Sequence, residues 1–177
     1  LLPAHEDLST LTFQMIRKAI NEDVGDDVFY MLQDVIDPLR AEYDVILIDL
    51  PPERGYLAKL GLVASDNIII IMQAEPFPRR AVPRFIKTIE EVIDEYNPEL
   101  KIAGILCTIV DHRTIISAEV IKSLRMVYGP QVFDTVIKRT VRLAEASLIG
   151  QSRRVKEIQE NYGFFVQELI FKNIVKK

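Results

Sequence analysis

Asp49 is the residue whose type and position in this chain most clearly indicate chemistry. It lies near the end of residues 43–52, and five of the six residues over 45–50 are apolar. A strand that helices cover on both faces has such a continuous apolar run. Ligands of open α/β sheets bind beyond the carboxyl ends of the strands. Asp49 is therefore positioned to hold a metal–phosphate group, unless the segment is an ordinary core strand that ends at an aspartate beside a turn.

The rest of the chain reads as helices and strands in alternation. The pattern predicts helices over 7–20, 28–39, 53–64, 81–96, 114–128, 141–146 and 153–175, and strands over 45–50, 67–72, 102–110 and 131–137. Alternation at this spacing is typical of right-handed crossovers and a mostly parallel sheet. We therefore expect an α/β fold with a mostly parallel sheet flanked by helices, as one domain over 1–177 with a terminal helix over 153–177.

Composition narrows the class of protein. Apolar residues make up 49% and charged residues 27% of the 177 residues, which is ordinary globular usage. The one cysteine, Cys107, excludes a disulfide framework within the chain, favours a cytosolic setting, and lies in an apolar run as a core residue would. No apolar run reaches the ~18 residues that a membrane span needs.

Charge is distributed unevenly along the chain. The net charge is −4, yet residues 1–50 contain three basic and eleven acidic groups, so the remainder has a basic excess. A basic region can bind a polyanion locally because nearby charges dominate within a Debye length of ~8 Å. The alternative is that these lysines and arginines are scattered and solvated, which also applies to the basic run at Arg79, Arg80, Arg84 and Lys87.

Short segments spread over most of the chain carry a family resemblance. They run from the start to about Leu169 in a consistent order: residues 1–4 with 7–8, 43–52, 73–75, 97–98 with 104–106, 111–114, 132–137 and 141–146. With these segments the chain resembles the ParA/Soj/MinD group of deviant-Walker ATPases, and ParA/Soj most closely. The resemblance implies a P-loop NTPase-like fold, ATP and Mg²⁺ as cofactors, and a cytoplasmic, nucleoid-associated protein.

The phosphate-binding motif of that family is missing from these residues. None of the seven glycines is followed by lysine, so G-x-x-x-x-G-K-[ST] is absent in every register. A P-loop binds phosphate through backbone N–H groups and its lysine. The match begins partway through the family pattern, so we expect that the amino-terminal nucleotide-binding half has been removed or is not represented. This chain alone is then predicted neither to bind ATP tightly nor to hydrolyse it.

The resemblance implies roles for individual residues. Asp49 matches the Walker B carboxylate, which orients water on Mg²⁺. The switch loop corresponds to Pro51, Pro52, Glu53 and Gly55, and its charged Glu53 departs from the small polar residues of the family. The region beside the nucleotide base corresponds to Thr108, Lys138, Arg139 and Thr140. Residues 138–140 replace a Pro-Arg-Asn segment, which leaves adenine contact open.

Two arginines match family residues that bind DNA non-specifically in the dimer. These are Arg113 and Arg142, and Arg139 and Arg153 could extend the same basic surface. Guanidinium groups suit phosphate geometry, and such binding is independent of sequence and sensitive to salt. The alternative is that these arginines pair with Asp111, Asp134 or Glu145.

Two functions follow from these observations. The first is a plasmid or chromosome partitioning ATPase, an ATP-driven homodimer on DNA that a ParB-like centromere-binding partner stimulates. The second is a non-catalytic DNA-binding or dimerisation scaffold that naturally lacks the P-loop. A membrane-binding terminal helix is a third possibility, which Glu157, Glu160 and Glu168 disfavour because anionic lipid repels acids.

Overall fold

The computed structural model describes residues 25–51, 55–75, 81–140 and 156–175. The chain divides into two compact units. The helical unit comprises Leu1–Asp66 and Lys87–Leu100, and the sheet unit comprises Asn67–Ile86 and Lys101–Lys177. The helices predicted over 7–20 and 141–146 lie outside the described residues.

The helical unit is built from short helices. Its elements are a 3-10 helix Gly25–Tyr30, helix α1 Met31–Ile36, a 3-10 helix Asp37–Ala41, helix α2 Tyr56–Val63, and the later part of helix α3 Ala81–Glu95. The helix predicted over 28–39 is therefore present as three pieces. Pro38 lies in the first turn of the second 3-10 helix. Because proline has no N–H and its ring clashes with the preceding turn, it kinks or breaks an α-helix when it lies beyond the first turn.

An aromatic cluster helps form the core of the helical unit. The Phe29 ring stacks on Tyr56 with 5.4 Å between centroids and meets Tyr96 edge-on at 5.3 Å. The Lys59 ammonium lies 4.3 Å from the Phe29 centroid and 3.8 Å from that of Tyr96, within range of cation–π attraction. Leu62 and Ile89 are completely buried.

Asn97 closes the end of helix α2. Its side-chain amide donates to the carbonyl oxygens of Leu62, Val63 and Ser65 at 3.2, 2.9 and 2.8 Å. The last carbonyls of a helix have no partner within the helix, so a donor from elsewhere must satisfy them. Asn97 thus links the loop after α3 to the end of α2.

The prediction of a buried strand over 45–50 is wrong for this structure. These residues have no regular secondary structure, and Val45 and Leu47 are 47% and 89% exposed. A strand needs a hydrogen-bonded neighbour to form its ladder, and among the described residues no strand pairs with this segment. The apolar run is therefore typical of a strand, but the described residues contain no neighbouring strand that pairs with it.

The sheet unit confirms the mostly parallel sheet. Strands β1 Asn67–Gln73, β2 Lys101–Val110 and β3 Val132–Lys138 lie in the order β1-β2-β3, and both pairings are parallel. Helices α4 Ile115–Tyr128 and α5 Lys156–Phe171 complete the unit with a 3-10 turn Gly129–Gln131. The predicted strands over 67–72, 102–110 and 131–137 each agree with the structure to within one residue at either end.

The central strand β2 is irregular at two places. Its register with β1 shifts between Ile68 and Ile69, beside Gly104. Gly104 has φ +156°, and a Cβ there would lie 2.7 Å from the Gln131 carbonyl oxygen and 2.8 Å from the Phe133 ring. Ile109, near the other end of the strand, has φ +55°. Such a backbone is rare for a β-branched residue and marks a bulge in the ladder.

Apolar side chains of α5 pack on the sheet. The cluster consists of Leu106, Phe133, Ile137, Phe165 and Leu169. Phe133 and Phe165 meet at 5.0 Å with their planes nearly perpendicular, a favourable aromatic geometry. Helix α5 is thus held through its apolar face. In the part of the chain described, no helix has the length and apolar character needed to cross a bilayer.

Candidate functional site

The carboxyl ends of β1 and β2 lie side by side. The backbone N–H of Ala74, just after β1, donates to the Thr108 carbonyl at 2.9 Å. The Thr108 hydroxyl donates to the Met72 carbonyl at 3.4 Å. Thr108, predicted for the base region, is half-buried at this edge of the sheet. Parallel strands bring their carboxyl ends together, and that edge is where α/β proteins place ligand-binding residues.

A buried hydroxyl joins these strand ends to helix α4. Ser117 is 4% exposed, and its Oγ donates to the Ala74 carbonyl at 3.2 Å. The same oxygen accepts the backbone N–H of Asp111 at 3.3 Å. Thr114 caps the helix by accepting the Ser117 N–H. Sequence reasoning missed Ser117, although the capping spacing of threonine three residues before it was a usable signal.

Asp111 binds Arg113 through three hydrogen bonds. Arg113 Nε and Nη2 donate to the two carboxylate oxygens at 3.0 and 2.9 Å, and the Arg113 backbone N–H donates at 3.0 Å. The hydrogen bonds from Arg113 lower the pKa of Asp111 to about 2. The alternative pairing considered for this arginine therefore exists, while the Arg113 side chain remains 89% exposed.

Other predicted residues gather at the carboxyl end of β3. Lys138 is the pairing partner of Val110, and the Arg139 N–H donates to the Val110 carbonyl at 3.0 Å. The Arg139 charge also contributes to lowering the pKa of Asp111. Lys138 and Arg139 are exposed and Thr140 is half-buried. The structure thus brings Arg113, Lys138 and Arg139 to one edge of the sheet, whereas Arg142 and Arg153 lie outside the described residues.

Helix α4 presents a groove that sequence reasoning did not identify. Its lining includes His112, Lys122 and Arg125, together with Ala118, Ile121 and Met126. Arg125 donates to the Asp134 carbonyl at 3.3 Å and lies 3.8 Å from the Asp134 carboxylate. Basic side chains therefore continue from the strand ends along α4.

Asp49 lies in the helical unit, on the segment over 45–50 described above. It is exposed, and the next residue, Leu50, places its methyl groups where a Cβ on Gly61 of α2 would be. Pro51 is half-buried, and Gly55 is the residue before α2 begins. Pro52 and Glu53, the rest of the predicted switch loop, lie outside the described residues.

A carboxylate in this setting fits magnesium chemistry. Mg²⁺ prefers hard oxygen ligands and usually keeps several waters, with one or two carboxylates and substrate phosphates completing its shell. Within the four described ranges, no group of three or more acidic, histidine or cysteine side chains could hold a metal by itself. A single carboxylate such as Asp49 is a type of ligand that this ion takes beside its waters and a phosphate.

Three kinds of comparison place the chain among known proteins. A family model described as AAA domain matches residues 1–102, more than half of the chain. The chromosome partitioning protein ParA of Myxococcus xanthus is 34% identical over 85% of this chain and 51% of its own length. The chromosome-partitioning ATPase Soj of Treponema pallidum is 35% identical over 84% of this chain and 56% of its own length. The chain thus spans about half the length of these relatives.

Solved structures also match this chain. Cobyrinic acid a,c-diamide synthase of Mycobacterium smegmatis matches with a TM-score of 0.76 and 30% identity over 99% of this chain and 64% of that one. The same protein with bound ATP analog and magnesium matches with a TM-score of 0.69 and 33% identity, over 84% of this chain and 61% of that one.

Proposed function

Because the chain belongs to the ParA-like family of AAA-domain P-loop ATPases, we propose that it is part of a DNA-partitioning ATPase. The protein would form an ATP-driven homodimer that binds DNA without sequence preference in the nucleoid, and a ParB-like centromere-binding partner would stimulate hydrolysis. The observation that carries the proposal is the set of exposed basic side chains at the carboxyl ends of β2 and β3.

The proposed DNA surface is made of Arg113, Lys138 and Arg139, with Arg142 and Arg153 added from the sequence. The first three are exposed, so phosphate can approach them without unfolding the sheet. Arginine pairs with phosphate through two parallel N–H bonds, and lysine acts as a point charge. Contacts of this kind position a duplex but do not read its bases, which agrees with a protein that must bind any segment of a chromosome or plasmid.

ATP and Mg²⁺ are the proposed cofactors, supported by the ATP analog and magnesium bound in the structural relative. Magnesium would neutralise phosphate charge during transfer to water. Asp49 would hold and orient a water on that ion, and the loop of Pro51, Pro52, Glu53 and Gly55 would respond to the nucleotide. Thr108, Lys138, Arg139 and Thr140 would lie beside the base.

The phosphate-binding loop must then come from residues outside these 177, since no lysine follows any glycine here. We propose that this chain alone neither binds ATP tightly nor hydrolyses it. Isothermal titration of the purified chain with Mg-ATP tests this directly. Binding with a micromolar Kd would show that the chain has a phosphate site that its sequence does not reveal.

DNA binding is tested by fluorescence anisotropy with two duplexes of unrelated sequence. Arg113→Ala and Arg139→Ala are each expected to weaken binding to both duplexes equally and to reduce the slope of log K against log salt by about one. Lys101→Ala is the matched control, because Lys101 is exposed at the amino end of β2. Equal losses in all three variants would reject a surface localised at the strand ends.

A non-catalytic scaffold is the second candidate, favoured by the missing P-loop motif. The two functions differ in their response to nucleotide. A partitioning ATPase carrying its phosphate-binding loop should bind DNA more tightly with Mg-ATP than with Mg-ADP, whereas a scaffold should bind equally in both.

A further inference from the structure

We infer that Asp111 is an affinity-determining residue of the proposed DNA surface: it occupies the guanidinium of Arg113, and a DNA phosphate must displace it. This inference rests on the proposed function. It assigns to Asp111 a role that is separate from the contacts made by the basic side chains themselves.

The geometry of the pair supports displacement by phosphate. Asp111 takes the Nε and Nη2 edge of Arg113, with one oxygen on each nitrogen. That edge is also one that a phosphate uses when it binds arginine through two parallel bonds. A carboxylate and a phosphate therefore compete for the same two donors. Because the Arg113 side chain is 89% exposed, a phosphate can approach it from solvent.

Asp111 is the fixed member of the pair. Its backbone N–H donates to the buried Ser117 hydroxyl, and its carbonyl accepts the Thr114 backbone N–H at 3.1 Å and the Thr114 hydroxyl at 2.9 Å. Its side chain is 22% exposed against 89% for Arg113. Exchange of partners therefore moves the long arginine side chain outward and leaves the strand end in place.

A phosphate on this edge of Arg113 makes the same two charge-assisted hydrogen bonds, so the pair can be exchanged. Exposed ion pairs contribute little because water and salt screen them and because ordering two side chains costs entropy. Competition of this size changes a binding constant by about two- to fivefold. Asp111 therefore lowers the affinity for DNA without abolishing binding. The positive charge of Arg139 also contributes to lowering the pKa of Asp111. The Asp111 carboxylate therefore partly offsets the charge of Arg139 as well as that of Arg113.

The test is a double-mutant cycle on DNA affinity, measured over a range of salt. Asp111→Asn is expected to tighten binding by about two- to fivefold with an unchanged salt slope, because Arg113 contacts phosphate in both proteins. In the Arg113→Ala background the same substitution should give a clearly smaller gain. Glu119→Gln on α4 is the charge-matched control, since Glu119 is an exposed carboxylate and Asp111, not Glu119, accepts the hydrogen bonds from the Arg113 guanidinium.

The outcomes separate this inference from the proposed function. If Arg113→Ala leaves DNA affinity unchanged, the proposed surface is wrong. If Arg113→Ala weakens binding but Asp111→Asn tightens it no more than Glu119→Gln does, the surface stands and the competition by Asp111 is rejected. An equal gain from Asp111→Asn with and without Arg113 would also reject it.

A measurement on the unsubstituted protein gives an independent check in case Asp111→Asn does not fold. The Arg113 Nε–Hε resonance reports its hydrogen-bond partner, so it should shift when a short duplex is added. A resonance that stays in place at saturating DNA would mean that Asp111 keeps Arg113, and the inference would fail.

Discussion

Glu168 of α5 accepts a 2.8 Å hydrogen bond from the backbone N–H of Thr135 in β3. Its other carboxylate oxygen accepts the N–H of Asp134, also at 2.8 Å. These two N–H groups lie where β3 has two more residues than β2 between paired positions, since Val132 pairs with Ile105 and Val136 with Cys107. The helix thus supplies acceptors to a stretch of strand that the ladder leaves without regular pairing.

Glu168→Gln should lower the free energy of unfolding by about 1–2 kcal/mol. An amide has one acceptor oxygen, and its NH₂ group would face one of the two backbone donors. Chemical denaturation measures the change. The control is Gln167→Ala on the exposed neighbouring position, for which we expect less than about 0.5 kcal/mol. Equal effects of the two substitutions would mean that the bonds to β3 add no stability.

The same carboxylate predicts a pH dependence. Burial raises the pKa of Glu168, but the hydrogen bonds from Thr135 and Asp134 outweigh burial and leave the pKa below its usual 4.5. A carboxylate whose pKa is lower in the folded state adds stability above its unfolded pKa, and that stability is lost as the pH falls through the folded pKa. Stability should therefore decline below about pH 4.5 less steeply in Glu168→Gln than in the parent protein. Parallel curves would contradict the assignment.

Gly104→Ala should be strongly destabilising. The new Cβ would lie 2.7 Å from a backbone oxygen that cannot rotate away, and the φ of +156° is unfavourable for alanine. We expect a loss of about 2–4 kcal/mol from the combined overpacking and backbone strain. Thermal unfolding measures it, with Gly163→Ala in α5 as the control. Nothing lies within 4 Å of a Cβ at Gly163, so that substitution should stabilise the helix by up to about 1 kcal/mol.

Asn97→Asp should destabilise the helical unit more than Asn97→Ala does. Alanine removes the donors to three carbonyls at the end of α2, at a cost of about 1–3 kcal/mol. Aspartate in addition places a negative charge against those oxygens and against the negative end of the helix dipole. Urea denaturation ranks the two variants, with Glu99→Ala at an exposed neighbouring site as the reference. The reverse ranking would indicate that the amide does not act as a donor.

Much of the fold could be predicted because residue types that end helices lie at the ends of the helices in this sequence. Asn97-Pro98 and Gly129-Pro130 end helices in the sequence, and α3 and α4 end within two residues of them. Both β1 and β2 were recognisable as apolar runs, but only the central strand β2 is mostly buried, whereas Ile71 on β1 is 59% exposed. The same reasoning failed over 45–50, since an apolar run reveals a preference for strand but not whether a partner strand is available.

The sequence identified basic residues that the structure brings together at the strand ends, but it did not predict their contacts or the position of Asp49 outside the described sheet. Arg113, Lys138 and Arg139 were identified, and the structure brings them to one edge of the sheet. The Ser117 link and the Glu168 bonds were not foreseen. Each depends on a bulge or a helix position that joins residues distant in sequence, such as the 43 positions between Ala74 and Ser117. Local sequence patterns do not indicate which residues far apart in the sequence are in contact.

The backbone conformation of Ile109 determines which substitutions the central strand tolerates at this position. A backbone φ of +55° is sterically unfavourable for isoleucine, whereas glycine, asparagine and aspartate adopt it more readily. In a library of all substitutions at this position, glycine should therefore survive better than valine, although valine is the nearer chemical relative. Selection at Ile109 would act on the backbone before it acted on the side chain, so the position would vary as a loop residue does while lying inside a strand.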